Sequence, residues 1–355
     1  MLLAPGPCAE TASSGAGSVP AGLIYSSDAE PGITRVRRGK NFAYRDSKGR
    51  WIRDETELKR IRKLAIPPAY ESVWICPSPH GHMQATGRDA RGRKQYRYHP
   101  TWRQERDGGK FDRLQQFAKA LPGLRRKVQQ LLKERDHSRE LVLATVVRLL
   151  DTTLIRVGND QYARENGSFG LTTLRNRHVR IDGDTLKLSF KGKSGVRHDV
   201  EVKDPRVLRV VRRCLHLPGQ ELFQYRGEDG ELHAVGSGDV NDFLESLCPE
   251  RFTAKDFRTW HGSVLALDTL RKFCGAGGES FTLKQLLVEV AQSLGNTPAV
   301  CRKAYIHPGV LELGTKLAAL KGDALFDDHV PAAGTGRAGL SAAEKRLVAL
   351  LAALR

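Results

Sequence analysis

The stretch from Ser138 to Gly158, SRELVLATVVRLLDTTLIRVG, is apolar on nearly every side of a helical repeat. A helix of that kind has no face to give to water, so it belongs at the centre of a domain with other elements wrapped around it. Gly158 fits the position just past its C-terminus, where glycine accepts a left-handed backbone at least cost. On that register Arg156 sits on the last turn of a buried helix, where an unpaired guanidinium is expensive. A purely structural account would pair it with Asp151 or Glu165. Helical patterns surround this segment. FDRLQQFAKALPGLRRKVQQLLKERD precedes it and reads as broken at Pro122-Gly123. DPRVLRVVRRCLHL, FTAKDFRTWHGSVLALDTLRKF and TLKQLLVEVAQSLG follow, the second with Thr253 and Asp256 placed to cap it. Thr297-Pro298 suits the cap and first position of a short helix carrying Tyr305. SAAEKRLVALLAALR closes the chain, with a capping box at Ser341 and Glu344.

Two regions read as sheet. HVRI, TLKLSF and VRHDVEV form a meander, with turns at Asp182-Gly183-Asp184 and over 191–195. Lys193 then lies at a glycine-flanked hairpin tip, either as solvated charge or free to swing into a ligand. From Gly22 to Asp107 the chain reads as short strands and turns, including a hairpin in FAYRDSKGRWI with its turn at Ser47-Lys48-Gly49. In Gln95-Tyr96-Arg97-Tyr98 the alternation puts both tyrosines on one face of a strand. The fold class is therefore α+β: a small β-rich N-terminal domain over 22–107, and a mainly α-helical domain with a small three-stranded sheet over 108–330. A flexible Ala/Gly/Ser/Pro tail over 1–21 precedes them, and a linker with a last helix over 331–355 follows.

The charge balance names the class of partner. Lys+Arg 58 against Asp+Glu 40 gives a net charge of +18, which points to a polyanion, nucleic acid first. Between Gly81 and Lys110 eight cations (Arg88, Arg91, Arg93, Lys94, Arg97, Arg103, Arg106, Lys110) face three acids (Asp89, Glu105, Asp107). No apolar run reaches the ~18 residues of a membrane span, and the start lacks the basic region that opens a signal peptide. Six scattered cysteines without a C-x-x-C or a Cys/His cluster argue against zinc and disulfides and for a reducing cytosol. There is no G-x-x-x-x-G-K-[ST] loop for ATP; GKSG at 192–195 lacks its upstream glycine and following helix.

Transfer at a phosphodiester without a metal needs a particular set of parts. Guanidiniums must clamp the oxygens of a pentacoordinate phosphorus, a lysine can protonate the departing alkoxide, and a nucleophile must hold the covalent intermediate. Arg156, Lys193, Arg258 and Tyr305 are such parts, but physics alone does not select them from 58 cations and eight tyrosines.

The motifs do. LIRVGNDQYARENGSFGLTTLRNRHV, SFKGKSGVRHDVEV, FTAKDFRTWHGSVLA and GNTPAVCRKAYIHPGVLE resemble, in order, the catalytic domain of type IB DNA topoisomerases of the bacterial, poxvirus-like branch, a fold shared with tyrosine recombinases. IPPAYESVWICPSPHGHMQATGRDARGRKQYRYHPTWRQERD resembles that branch's N-terminal β-domain, so the likeness covers about 22–320. It implies that Arg156 and Arg258 clamp the phosphate, Lys193 is the general acid to the 5′-oxygen and Tyr305 the nucleophile. Lys255 takes a supporting basic position that is often histidine in recombinases, Tyr162 and Asn166 contact DNA, and Gln95, Tyr96 and Tyr98 lie in the major groove. Poxviral enzymes carry histidine where this chain has Asn296, which fits the bacterial form and leaves an uncharged donor to a phosphate oxygen. The implied activity is relaxation of supercoiled duplex DNA through a 3′-phosphotyrosine, without ATP, metal or other cofactor. The implied protein is a monomer whose two lobes clamp DNA, cytoplasmic and nucleoid-associated, with no membrane partner or small-molecule substrate. The alternative is a tyrosine recombinase or integrase, disfavoured by Lys255 and the β-rich N-terminal lobe. Whether His261 or His307 assists the site stays open, and Cys301 reads as a small apolar packer.

Overall fold

In the computed structural model the described residues are 20–39, 41–90, 92, 94–248, 250–275, 280–320, 326–332 and 338–354. Nearly all of the expected tail, the middle of the expected linker, and Arg91 and Arg93 lie outside them. The chain divides near Gly109 into two compact units.

The first unit contains β1 (Ile33–Arg38), β2 (Asn41–Arg45), α1 (Glu55–Lys63), β3 (Glu71–Ile75), β4 (Met83–Arg88) and β5 (Lys94–Tyr98). The strands pair antiparallel in the order β2-β1-β3-β4-β5. Ile33, Val73, Ile75 and Ala85 bury one face of this sheet with Ile61 of α1. The sequence reading missed α1. Its signals are Asp54, whose carboxylate accepts from Thr56 N, acids in the first turn and cations in the last. Arg60 fixes the helix to the sheet through Gln84 at 2.9 Å and the Cys76 carbonyl at 2.8 Å. The expected hairpin forms, its turn at Ser47-Lys48-Gly49 closed by Asp46 N donating to the Arg50 carbonyl and Ile52 N to the Tyr44 carbonyl, both at 2.9 Å, around an Arg45–Trp51 bridge. A second hairpin joins β1 and β2 through Gly39, at φ +57°.

α2 (Pro100–Leu131) begins before the division at Gly109 and continues past it, and the second unit goes on with α3 (Arg139–Thr153), α4 (Asp160–Asn166), β6 (Val179–Asp182), β7 (Thr185–Lys191) and β8 (Arg197–Val202). Then come α5 (Pro205–Leu215), β9 (Gln224–Arg226), β10 (Leu232–Ala234), α6 (Ser237–Leu247), α7 (Ala254–Gly275), α8 (Leu283–Leu294), α9 (Pro298–Ala304), α10 (Pro308–Ala319) and α11 (Ala342–Ala353). The meander β6-β7-β8 is as expected, and α3 is the central helix, with Leu141 to Val147 buried on all sides. Pro122 does not break α2, which runs through it. Leu121, Leu124 and Val128 are buried in the core, and that packing outweighs the hydrogen bond a mid-helix proline removes. Among the described residues no helix is long and apolar enough to cross a membrane.

The last helix joins the same core, through Leu347, Leu350 and Leu351. Its capping box forms as read, with Ser341 N donating to Glu344 Oε2 at 2.7 Å. Glu344 does more than cap. Buried, it accepts from Trp260 Nε1 of α7 at 3.0 Å and from Arg125 of α2 at 2.8 Å. Arg125 also clasps Asp151 of α3 with two bonds of 2.8 Å. Asp151 in turn lies 3.1 Å from His261 Nε2 of α7. Both partners suggested for Arg156 are thus set aside or unneeded. Asp151 is taken by this cluster, and Arg156 turns elsewhere.

Candidate active site

α3 ends earlier than its sequence suggests. Thr153 is its last residue, and Leu154 takes the left-handed position at φ +60°. Arg156 therefore lies on an extended segment rather than on the last helical turn. Gly158 is needed for a close approach instead of a cap. At φ +111°, a Cβ there would stand 2.8 Å from Thr172 Oγ1, and one at Gly170 would stand 2.6 Å from the Arg156 carbonyl. Leu171 N and Thr172 N donate to the carbonyls of Arg156 and Val157 at 2.9 and 2.7 Å, which pins the segment.

The two arginines meet at the C-terminus of α8, where a helix leaves carbonyls unsatisfied. Arg156 donates from both terminal nitrogens to the Gly295 carbonyl at 3.3 Å, and also to Asn296 Oδ1. Arg258, 4% exposed on the first turns of α7, donates to the Leu294 carbonyl at 2.7 Å and to the Leu154 carbonyl. These bonds, with the favourable end of the helix dipole, fix two guanidiniums side by side despite their repulsion. Burial first, then Arg156, lowers the basicity of Arg258. Because Arg156 claims the oxygen of the Asn296 amide, the nitrogen is left over: Nδ2 is buried without a hydrogen-bond partner among the described residues. A buried donor in that state is costly unless something accepts from it.

Tyr305 is the residue just after α9, its backbone set from three directions. Its N–H donates to the Cys301 carbonyl at 3.0 Å, and its carbonyl accepts from Ser263 Oγ at 3.2 Å. Ser263 Oγ also accepts from His307 N at 3.0 Å. α7 presses so close at Gly262 that a Cβ there would stand 2.7 Å from the Tyr305 carbonyl oxygen. The Arg258 guanidinium carbon lies 5.1 Å from the Tyr305 ring centroid. Burial pushes the phenol's pKa up, but Arg258, Arg156 and, more weakly, Lys193 outweigh it, and the group falls below its ordinary value. Arg302 and Lys303, adjacent in sequence, are exposed.

Lys193 stands on the turn between β7 and β8, where Ser194 and Gly195 take φ of +64° and +80°. Its Nζ lies 5.7 Å from the Tyr162 ring centroid. Arg156, Tyr162, Lys193, Lys255, Arg258 and Tyr305 line one cavity of about 250 Å³, with Val157 and Phe169 among its apolar walls. Four of these six are cations, and among the described residues no carboxylate lines the space. It is shaped for an anion beside an ionisable phenol. Asn166 ends α4 outside the cavity lining. In the first unit, Gln95, Tyr96 and Tyr98 lie on edge strand β5. The two tyrosine rings stack at 6.0 Å, each about a third exposed, while Gln95 donates to Asp89 at 3.1 Å. Among the described residues no group of three or more His, Cys, Asp or Glu could hold a metal ion.

His261 and His307 have structural work: the first binds Asp151, and the second caps α10, its Nδ1 accepting from Gly309 N at 3.0 Å. The residues that sequence reasoning missed are Gly262, Ser263 and His198. The imidazole of His198 on β8 stacks on Phe190 at 5.0 Å. Burial, then Arg156 and Arg258, push its pKa down. The one sequence signal was that GKSGVRHDV placed a histidine inside the lysine hairpin.

Residues 99–323 match the family described as eukaryotic DNA topoisomerase I, catalytic core, and residues 41–89 match the bacterial DNA topoisomerase IB N-terminal domain. The DNA topoisomerase 1B of Acanthamoeba polyphaga mimivirus is 32% identical over 292 residues, covering 79% of this chain and 87% of the viral protein. The DNA topoisomerase 1B of vaccinia virus (strain Copenhagen) is 26% identical over 253 residues, covering 69% of this chain and 76% of its own.

Proposed function

The chain belongs to the type IB DNA topoisomerases, and we infer that Tyr305 is its nucleophile, with Arg156, Arg258, Lys193 and Asn296 as the catalytic partners. The enzyme changes DNA topology by cutting and rejoining one strand of a duplex. The observation that carries the assignment of roles is the convergence of four cations on an acidified tyrosine in a cavity with no carboxylate among its described lining residues.

The step reads as follows. The Tyr305 phenol, made more acidic by Arg258 and Arg156, gives up its proton to water, and its oxygen bonds to phosphorus as the bond from phosphorus to the 5′-oxygen breaks. Negative charge rises on the non-bridging oxygens, where Arg156 and Arg258 sit as fixed donors that need no reorganisation. Lys193 gives its proton to the leaving 5′-oxygen. The aryl phosphodiester keeps the energy of the broken bond, so the 5′-hydroxyl can reverse the attack after the duplex has swivelled. The +18 charge supports nucleoid DNA as the partner, the scattered cysteines support a reducing cytosol, and a cavity lined by one chain supports a monomer, with Tyr162, Lys255, Asn166 and the β5 residues Gln95, Tyr96 and Tyr98 as further contacts. Quenching a reaction with denaturant is expected to give protein attached to the 3′ end of the cut strand, a free 5′-hydroxyl on the other side, and DNA mapped to the peptide holding Tyr305. Attachment to the 5′ end, or to another residue, overturns the assignment.

Asn296 supplies a second test. Its oxygen holds Arg156 while its nitrogen awaits an acceptor, so one amide both orients a guanidinium and offers a donor to the phosphate. Asn296→Ala is expected to slow single-turnover cleavage by about 10²–10³-fold, and Asn296→His to keep activity. A wild-type rate for Asn296→Ala removes the residue from the mechanism.

A further inference from the structure

We propose that His198 is a positioning residue: its ring is the spacer that sets the Lys193 hairpin against the Gly295-Asn296 turn, and so sets the general acid against the phosphate donors. The proposal rests on the reading of Lys193 as the acid.

The edge of the ring lies between two glycines. On one side is Gly192, where an added Cβ would stand 2.6 Å from Cδ2 and 2.7 Å from Nε2 of His198. On the other is Gly295, where a Cβ would stand 2.6 Å from Cε1 and 3.0 Å from Nε2. Atoms that close cannot coexist with any side chain, so both positions must be glycine for the imidazole to fit. Each glycine immediately precedes a residue of the site, Gly192 before Lys193 and Gly295 before Asn296. One ring thus touches the backbone next to the acid and the backbone next to the amide donor.

The ring itself is held. Phe190 stacks on its face with the planes only 11° apart. The hairpin tip is closed by Gly192 N donating to the Val196 carbonyl at 2.7 Å, with Gly192 buried and Lys193 exposed beyond it. The Gly295 side is equally fixed, since its carbonyl accepts from Arg156. On a long flexible stem, the position of the backbone decides which lysine conformers reach the cavity, and His198 sets that base. The His198 ring packs against Phe190, Gly192 and Gly295, so its action is on the backbone that carries Lys193 rather than on the phosphate. Burial, then Arg156 and Arg258, lower its pKa, which favours the uncharged ring and spares a site of four cations a fifth.

The test separates leaving-group chemistry from everything else. Single-turnover cleavage is measured on two duplexes, one with the natural 5′-oxygen at the scissile phosphate and one with sulfur in its place. A thiolate departs without a proton, so a defect confined to the acid disappears on sulfur. His198→Ala is expected to cut slower by about 10–10²-fold on oxygen and close to the wild-type rate on sulfur, with unchanged binding to uncut duplex. His198→Phe, which keeps a flat ring on Phe190, is expected to regain most of the lost rate on oxygen. Equal losses of His198→Ala on both substrates, no loss on oxygen, or a phenylalanine variant as slow as the alanine one each overturn the proposal. Lys193→Ala serves as the reference. If it is rescued by sulfur and His198→Ala is not, the spacer role fails alone; if it is not rescued, the acid role of Lys193 fails and takes the spacer role with it.

Discussion

Tyr305→Phe is expected to leave supercoiled plasmid fully supercoiled under conditions, EDTA and no ATP, in which the wild-type enzyme relaxes it. The substitution removes one oxygen and almost nothing else. The ring keeps its place over the Arg258 guanidinium, and the backbone keeps its bonds to Cys301 and Ser263. Arg156, Arg258, Lys193 and Lys255 remain in the cavity, so binding of uncut duplex should be unchanged. Neither Cys301 nor Ser263 beside it can stand in as nucleophile. Burial raises the pKa of the Cys301 thiol, and the Ser263 hydroxyl is fully buried and committed to the backbone of 305 and 307. A covalent route with no nucleophile has no partial rate, so the loss is complete rather than graded. Plasmid relaxed by the phenylalanine variant on an agarose gel would move the nucleophile elsewhere.

The sequence was most legible where one element explains itself. The all-apolar run became the central helix, the 2-residue alternation became the meander, and Ser341 with Glu344 became a helix cap. It was least legible where contacts between distant segments decide. The end of α3 was misplaced because Gly158 is a glycine for the sake of Thr172 and Gly170, which no local pattern announces. Pro122 was read as a break because the buried leucines on either side, which carry α2 through it, are a tertiary fact. β1 falls in the region read as short strands but has no clean signature of its own, because ITRVRR places cations where a strand pattern wants apolar residues; Arg35 is accommodated by donating to the Ile66, Pro67 and Tyr70 carbonyls. The site followed the same division. Spacing could not join Arg156, Lys193, Arg258, Asn296 and Tyr305, and only the motifs they sit in named them. Gly262, Ser263 and His198 act by fit across the fold, so they surface only once α7, β8 and the turn after α8 are in place.

The buried cluster under α7 should govern stability as strongly as Tyr305 governs activity. Arg125, Asp151 and Glu344 come from three helices, and they reach α7 through His261 and Trp260, within three residues of Arg258. Removing Glu344 takes away one of the two buried carboxylates that Arg125 holds and leaves the buried Trp260 N–H without its acceptor. Glu344→Ala is therefore expected to cost about 3–5 kcal/mol, lowering the midpoint of thermal unfolding by on the order of 10 °C. The pH dependence fixes the mechanism. Burial pushes both carboxyls up, but hydrogen bonds from His261 and Arg125 to Asp151, and from Arg125 and Trp260 to Glu344, outweigh it. Both folded pKa values lie below the ordinary ones of 3.8 and 4.5. The unfolded chain then binds these protons more readily than the folded one, so stability rises with pH through this range. The contribution is whole above the unfolded values and is lost as pH falls through the folded ones. Unfolding midpoints measured from about pH 6 down to about pH 2 should fall steeply for the wild type. Glu344→Gln keeps the shape but has no proton to exchange, so its acid limb should be shallower and its deficit largest at neutral pH. Parallel limbs for the two proteins would mean that Glu344 is not bound as a charge, and that α11 is held to the core by its leucines alone.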